Sequence, residues 1–323
     1  MYLIKLISYK AMTTVLAIMT ALGMVAMPSV ETPINIIDEE NVQLSFIAWA
    51  DPQVSNYMPD RLATFEAVCE DVANSSVKVD ALLIAGDIAE NGFRSEYEYI
   101  TEKFGKFSDK VDNHIYSFGN HDIRLKAYCV QSERLMDFYN GISQTNKIQD
   151  KLYYSYEING YKFVVINSDK TVFEEAYYSP EQLAWLDSEI ASTQDSGKPV
   201  FVVGHQPFQN THGLPGTWGS PEFMHGGGMG DQNDDVKAIF EKYNNVIFIN
   251  GHLHTGFGEF TYEDYGAYKS FNLPGVCTNN ADGCEEDGQG YIFEVYEDQI
   301  IARARVFATG EYLPEYDVVI DLA

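Results

Sequence analysis

Short apolar runs recur along the chain, and most of them stop abruptly at a polar cluster. Leu44 to Trp49 precedes Asp51, Ala81 to Ala85 precedes Gly86-Asp87, and His114 to Phe118 precedes Gly119-Asn120-His121. Further on come Phe163 to Ile166, then Val200 to Val203 before Gly204-His205, and Val246 to Ile249 before Gly251-His252. Runs this short, rich in β-branched and aromatic residues, predict buried strands. Between them, stretches of helical period predict helices over Pro59 to Ala73, Glu96 to Phe107 and Gln182 to Ala191. The last has a start signal in Ser179 as cap, Pro180 at the first helical position and Gln182 at the third. Strands alternating with helices predict an α/β layered domain, where ligands gather at the carboxyl ends of strands.

From about Tyr268 the pattern turns aromatic and β-branched, and Tyr291 to Tyr296 with Gln299 to Phe307 predicts a hairpin in a second sheet. The glycine-rich segment from His212 to Gly230 is long for a connection and is expected to be a functional loop. A single domain over 43–323 accommodates all of this, without repeats or low-complexity linkers.

Lys5 and Lys10, an uncharged apolar stretch from Ala11 to Met27, and Pro28-Ser29 lay out a secretory signal peptide over residues 1–28, with cleavage between 23 and 30. The stretch is short for a spanning helix, so an uncleaved membrane anchor is the second reading, and no later segment is apolar enough to span a bilayer. The expected location is therefore secreted or extracytoplasmic. With 48 acidic against 21 basic side chains the net charge is −27, and no basic run could follow a phosphate backbone. Polymeric nucleic acid is not expected as a partner, and a small anionic substrate needs a local positive centre. Cys69, Cys129, Cys277 and Cys284 are too few and too irregular for a disulfide framework, although Cys277 and Cys284 flank one loop and suit a local bond. The sequence indicates no protein partner.

Asp51, Asp87, Asn120, His205, His252 and His254 all fall at predicted strand ends. Taken singly, a histidine on an apolar strand is a satisfied core residue and a Gly-Asp is a turn. Five such clusters in succession are not accounted for that way, and mixed carboxylate, amide and imidazole donors suit Mn, Fe or Zn rather than calcium.

The ordered blocks Asp51-Pro52-Gln53, Gly86-Asp87-Ile88-Ala89-Glu90, Gly119-Asn120-His121-Asp122, Gly204-His205 and Gly251-His252-Leu253-His254 resemble those of the calcineurin-like metallophosphoesterases. The resemblance covers about Ser45 to Thr255 and implies a four-layer α/β/β/α sandwich with two packed mixed sheets. It implies two divalent or trivalent ions bridged by Asp87, with Asp51, Gln53 and His254 completing the first and Asn120, His205 and His252 the second. By the same resemblance a metal-bridging hydroxide attacks a phosphomonoester or phosphodiester, His121 protonates the leaving group, and Glu90 orients His121. Two positions depart from the pattern. Gln53 stands where the family has a histidine, and Asn91 where an arginine often follows the carboxylate, leaving Arg94 as a substitute substrate contact. Glu90 in place of a tyrosine argues against the iron–tyrosinate subtype. His212 in the glycine-rich loop, with His225, Trp218 and Phe223, is expected near the leaving group, and His114 is expected to be structural. The alternative is a weakened metal-binding or surface-associated protein on the same fold, which the otherwise intact donor set disfavours.

Overall fold

A computed structural model describes residues 32–219 and 224–322, the side chains of Met224 and His225 aside; the expected signal peptide lies outside the described residues. Strand β1 (Leu44–Trp49) is followed by helix α1 (Pro59–Ala73), β2 (Val79–Ala85), α2 (Arg94–Phe104) and β3 (Val111–Ser117). The short α3 (Asn120–Ile123) and the longer α4 (Tyr128–Ile142) lead to β4 (Tyr154–Ile158), β5 (Tyr161–Val165), α5 (Pro180–Ala191) and β6 (Val200–Val203). Then come α6 (Asn233–Phe240), β7 (Val246–Asn250), β8 (Tyr262–Asp264), β9 (Tyr268–Asn272), β10 (Gln289–Val295), β11 (Gln299–Val306), β12 (Glu311–Tyr312) and β13 (Val318–Asp321).

The helices begin where local chemistry tells them to. Proline opens α1 at Pro59, and its buried residues Phe65, Val68, Cys69 and Val72 keep one helical face against the core. The Glu96 carboxylate accepts the Phe93 N–H at 3.0 Å to start α2, and the run expected to reach Phe107 ends as a 3₁₀ turn over Gly105–Phe107. Ser179 caps α5 by accepting the Gln182 N–H at 3.2 Å, worth about 1 kcal/mol.

Two mixed sheets form, in the orders β12-β11-β10-β1-β2-β3, with β13 also on β11, and β4-β5-β6-β7-β9-β8. They pack face to face: Phe46 of β1 meets Phe163 of β5 and Phe201 of β6 edge-on, with ring centroids 5.4 and 5.2 Å apart. Trp49, on the opposite face of β1, packs on Phe107 and Phe307 beneath the outer helices. Behind the other sheet, Leu186 and Ile190 of α5 and Val236 and Phe240 of α6 form a second apolar layer with Val202 and Phe248. This is the expected four-layer sandwich.

The C-terminal hairpin corrects the sequence reading. β10 and β11 pair as expected, but they join the sheet of β1 instead of a separate one, with Phe46 opposite Phe293 and their rings stacked at 4.6 Å. That aromatic contact, worth about 1 kcal/mol beyond its area, lies between residues too distant in sequence for periodicity to register. All four cysteines are free, so the bond suggested for Cys277 and Cys284 is absent. The Cys284 segment instead lies directly on Gly256 and donates its N–H to Phe257 at 3.0 Å.

Candidate metal centre

β1, β2 and β3 run parallel, as do β6 and β7, so their carboxyl ends open on the same side and deliver the polar clusters together. The chain turns sharply there. Asp51, Gln53, Asp87, His252 and His254 all have positive φ, between 38° and 76°, a conformation that costs about 1–3 kcal/mol at a side chain with a Cβ. Strain concentrated at these donors is a mark of a built site. The glycines beside them are needed for close approach: a Cβ at Gly119 would overlap the Asp87 carboxylate, and one at Gly86 would overlap the His205 ring.

Asp87, His205 and His252 bring donor atoms within 4.8 Å of one another, all three buried. His205 Nε2 lies 3.2 Å from Asp87 Oδ2, 3.2 Å from Asn120 Oδ1 and 3.2 Å from His252 Nδ1. Asp51 joins through Oδ1, 3.2 Å from His254 Nε2, while its Oδ2 accepts the His252 N–H at 2.9 Å. Six of the expected metal ligands therefore meet. The seventh, Gln53, is also there, but it donates Nε2 to Asp87 Oδ2 at 3.0 Å, so its contact with the centre is as a donor to Asp87.

Charges in this cluster suit cations. Burial works to raise the Asp87 pKa, but the His205 and His121 charges outweigh it and hold the carboxyl well below the usual range. Burial works to lower His205, yet the carboxylates of Asp87 and Asp51 push it up to about 10. His252 is held well below its ordinary value by burial and by His205 beside it, leaving a neutral imidazole, and its buried Nε2 has no hydrogen-bond partner. Carboxylates beside a neutral imidazole with an unpartnered buried nitrogen are the environment a transition-metal ion satisfies, and the donor set fits Mn, Fe or Zn. His205 Nδ1 lies 2.9 Å from the Ala85 carbonyl, which leaves Nε2 facing the centre.

His121 flanks the cluster, its backbone N–H donated to Asp87 Oδ1 at 2.8 Å and its Nε2 3.9 Å from Asp87 Oδ2. On the other side of the ring, Nδ1 is 3.2 Å from Glu90 Oε1, which places Glu90 where an orienting carboxylate belongs. Burial would lower the His121 pKa, but Asp87 and Glu90 raise it. Three partners were not anticipated from the sequence. Arg61 holds Glu90 at 2.5 Å, and Arg124 lies 2.8 Å from His121 Nδ1 and 3.6 Å from both Glu90 and Glu174. Glu174 accepts Asn120 Nδ2 at 2.7 Å, which turns the Asn120 oxygen toward His205. Arg124 follows His121 by three residues, and that spacing alone could have found it; Glu174 has no such signal. Asp122 ties two strand ends together by accepting N–H groups from Ile88, Ala89 and Gly119 and the Tyr97 hydroxyl, and burial followed by Asp87 raises its pKa to about 6.

Two expected substrate contacts lie elsewhere. His212 is fully buried, with Nδ1 2.7 Å from the Phe260 carbonyl and Nε2 2.8 Å from Ser270 Oγ, so neither ring nitrogen is free for a substrate. Arg94 is exposed at the start of α2 and lines a surface hollow with Tyr97, Arg134 and Phe138 that contains none of the clustered donors. The loop does reach the centre through Trp218, whose ring stacks on His252. Phe223 and the side chain of His225 lie outside the described residues. His114 is buried against Phe104 and Tyr116, a structural position as expected.

A family model for calcineurin-like phosphoesterases matches residues 44–256. A 3′,5′-cyclic-nucleotide phosphodiesterase from Nostoc sp. is 21% identical over 195 residues, 60% of this chain and 63% of that protein, so the chain spans less than two thirds of that relative's length. Among solved structures, a dimetal phosphatase from Danio rerio superposes with a TM-score of 0.58 at 14% identity, covering 88% of this chain and 100% of the other. A purple acid phosphatase from yellow lupin (Lupinus luteus) seeds gives a TM-score of 0.60 at 14% identity, covering 86% of this chain and 53% of that one. Both likenesses are of fold.

Proposed function

The chain belongs to the calcineurin-like phosphoesterase family, and from this premise we propose that it is an extracytoplasmic hydrolase of a small phosphoric ester, a phosphodiester ahead of a phosphomonoester. The observation that carries the reading is the convergence of Asp87, His205 and His252, with donor atoms within 4.8 Å, beside His121. Asp51, Asp87, Asn120, His205, His252 and His254 would hold two transition-metal ions, which when bound supply Lewis acidity that activates water and neutralises phosphoryl charge.

The residues of the chain do the rest. Glu174 fixes the Asn120 amide with its oxygen toward the centre, and Gln53 and the His121 N–H restrain the Asp87 carboxylate. His121 presents Nε2 toward the same carboxylate, where it is placed to give a proton to the leaving oxygen, and Glu90 steadies the ring from Nδ1. Charge pairing favours the diester. The arginines found beside His121, Arg61 and Arg124, are matched by Glu90 and Glu174. A monoester brings nearly two negative charges at neutral pH, a diester only one. The name of the Nostoc relative points the same way.

Export rests on the lysines, apolar run and small-residue sites of the first 30 residues, and the strongly acidic composition speaks against a polymeric nucleic acid substrate. The function is tested by assaying purified, metal-reconstituted protein on p-nitrophenyl phosphate, bis-p-nitrophenyl phosphate and cyclic nucleotides. Hydrolysis, fastest on a diester, is expected; no turnover on any of them would overturn the reading. Protein recovered outside the cytoplasm should begin between Met24 and Glu31, and an intact Met1 on a soluble cytoplasmic product would contradict export.

A further inference from the structure

We propose that Trp218 is a positioning residue of the metal centre: its indole fixes the ring of His252 in the orientation that binds an ion, and so sets how tightly that ion is held. The proposal rests on the reading of His252 as a metal ligand.

Two histidines of the centre differ in how their rings are held. A ligating imidazole is normally oriented by a hydrogen bond at its other ring nitrogen. His205 has one, with Nδ1 2.9 Å from the Ala85 carbonyl. His252 has none: Nδ1 faces His205 Nε2 at 3.2 Å, and the buried Nε2 is without a hydrogen-bond partner. Its backbone, at φ 76°, is held by the strand end, and the one polar contact of its ring, from Nδ1, goes to another proposed ligand, so nothing polar holds the ring through Nε2. The His205 ring meets it edge-on at 4.9 Å, and the flat contact is Trp218, which lies nearly parallel to it at 26° with ring centroids 4.6 Å apart. A flat apolar surface at that distance limits ring rotation and keeps water from the unpartnered nitrogen.

The surrounding loop holds the indole in place. His212 anchors the loop at its start, through its two ring nitrogens and through its N–H, donated to Glu263 at 2.8 Å. A 3₁₀ turn over Gly216–Trp218 then carries the indole to His252. Behind the indole, Gly227 has φ 85°, and a Cβ there would lie 2.6 Å from Trp218 Cδ2, so only glycine lets the backbone close against the ring. Gly227 and Trp218 of this segment thus share one explanation, and it stands in place of a leaving-group contact by His212.

The chain has three tryptophans. Trp49 packs in the core against Phe307, and Trp185 pairs with Tyr153, which leaves Trp218 as the reporter at the centre. The test titrates metal-free wild type, Trp218→Ala and Trp218→Phe with Mn²⁺, following tryptophan emission and bound metal. In the wild type, Mn²⁺ should quench part of the emission; Trp218→Phe should lose that quenching yet bind nearly as tightly. Trp218→Ala should melt close to the wild type while one of two ions binds about 10–100-fold more weakly, the usual loss when the support of a ligand is removed. Unchanged affinity for both ions in Trp218→Ala overturns the proposal alone. A wild type that binds no Mn²⁺ overturns the ligand reading of His252 and this proposal with it. Should Trp218→Ala not fold, Trp218→Leu, apolar but not flat, is compared with Trp218→Phe, and equal affinity in the two overturns the proposal.

Discussion

Gln53 turns its amide nitrogen to Asp87, with Nε2 3.0 Å from Oδ2. A position that could hold an imidazole lone pair therefore holds a hydrogen-bond donor, and an ion bound on this side would have one strong ligand fewer. Gln53→His should tighten that ion and slow inactivation by a chelator about tenfold or more, measured as the half-life of activity in EDTA. No change in half-life would mean that the side chain at 53 does not govern that ion.

His121 faces the centre through Nε2 and Glu90 through Nδ1. If it donates a proton, its loss matters most where the leaving group is poor, and general acid catalysis is worth about 10²–10⁴-fold. His121→Ala should keep its metal and lose far more activity on an alkyl phosphoester than on a p-nitrophenyl ester. Glu90→Gln should show the same trend more weakly. Equal losses on both substrates would make His121 a phosphate-positioning group.

The strand ends were legible because most apolar runs stop at a polar cluster, four of them opened by a glycine, and two of those glycines, Gly119 and Gly86, prove to be the positions where Asp87 and His205 come too close for a Cβ. Helix α4 was hidden because its buried face mixes Gln131 with Leu135, Phe138 and Tyr139, and its N-cap, Ala127, offers no capping side chain. Helix α6 spans only eight residues, too few for a pattern to stand out. Glu174 comes from the loop between β5 and α5, where no periodicity predicts direction, and it meets Asn120 across 54 positions of sequence. The motifs thus located the donors, while the groups that orient them came from tertiary contacts that a linear pattern does not encode.

Glu174 balances Arg124 at 3.6 Å and is itself lifted above the usual carboxylate range, chiefly by burial. Glu174→Gln removes one negative charge while keeping an oxygen to accept from Asn120. Freed of that partner, Arg124 should better tolerate a doubly charged ester. The ratio of kcat/KM on p-nitrophenyl phosphate to that on bis-p-nitrophenyl phosphate should rise about tenfold, the effect of roughly 1–2 kcal/mol from one charge at the cleft. An unchanged ratio would remove the charge-pairing argument for a diester.

His114 provides a stability test away from the centre. It is buried beside Tyr116, with Nδ1 2.6 Å from the hydroxyl, and burial lowers its pKa to about 4. Because the folded value lies below the unfolded value of about 6.5, the unfolded chain takes up the proton first. Its contribution is complete above pH 6.5 and is lost as pH falls toward 4, by about 3 kcal/mol at the foot of that window. The gap in melting temperature between wild type and His114→Gln should therefore narrow from pH 7 to pH 4. A constant gap would contradict a neutral buried histidine.

Asp87 touches most of the centre at once: His205, Gln53 and the His121 N–H all bond to its carboxylate. The most direct measurement is elemental analysis of wild type and Asp87→Ala after gentle purification, with hydrolysis of bis-p-nitrophenyl phosphate assayed on the same samples. Close to two transition-metal ions per chain and turnover are expected in the wild type, and loss of both ions and of turnover in the variant. Full metal content or undiminished hydrolysis in Asp87→Ala would contradict that expectation.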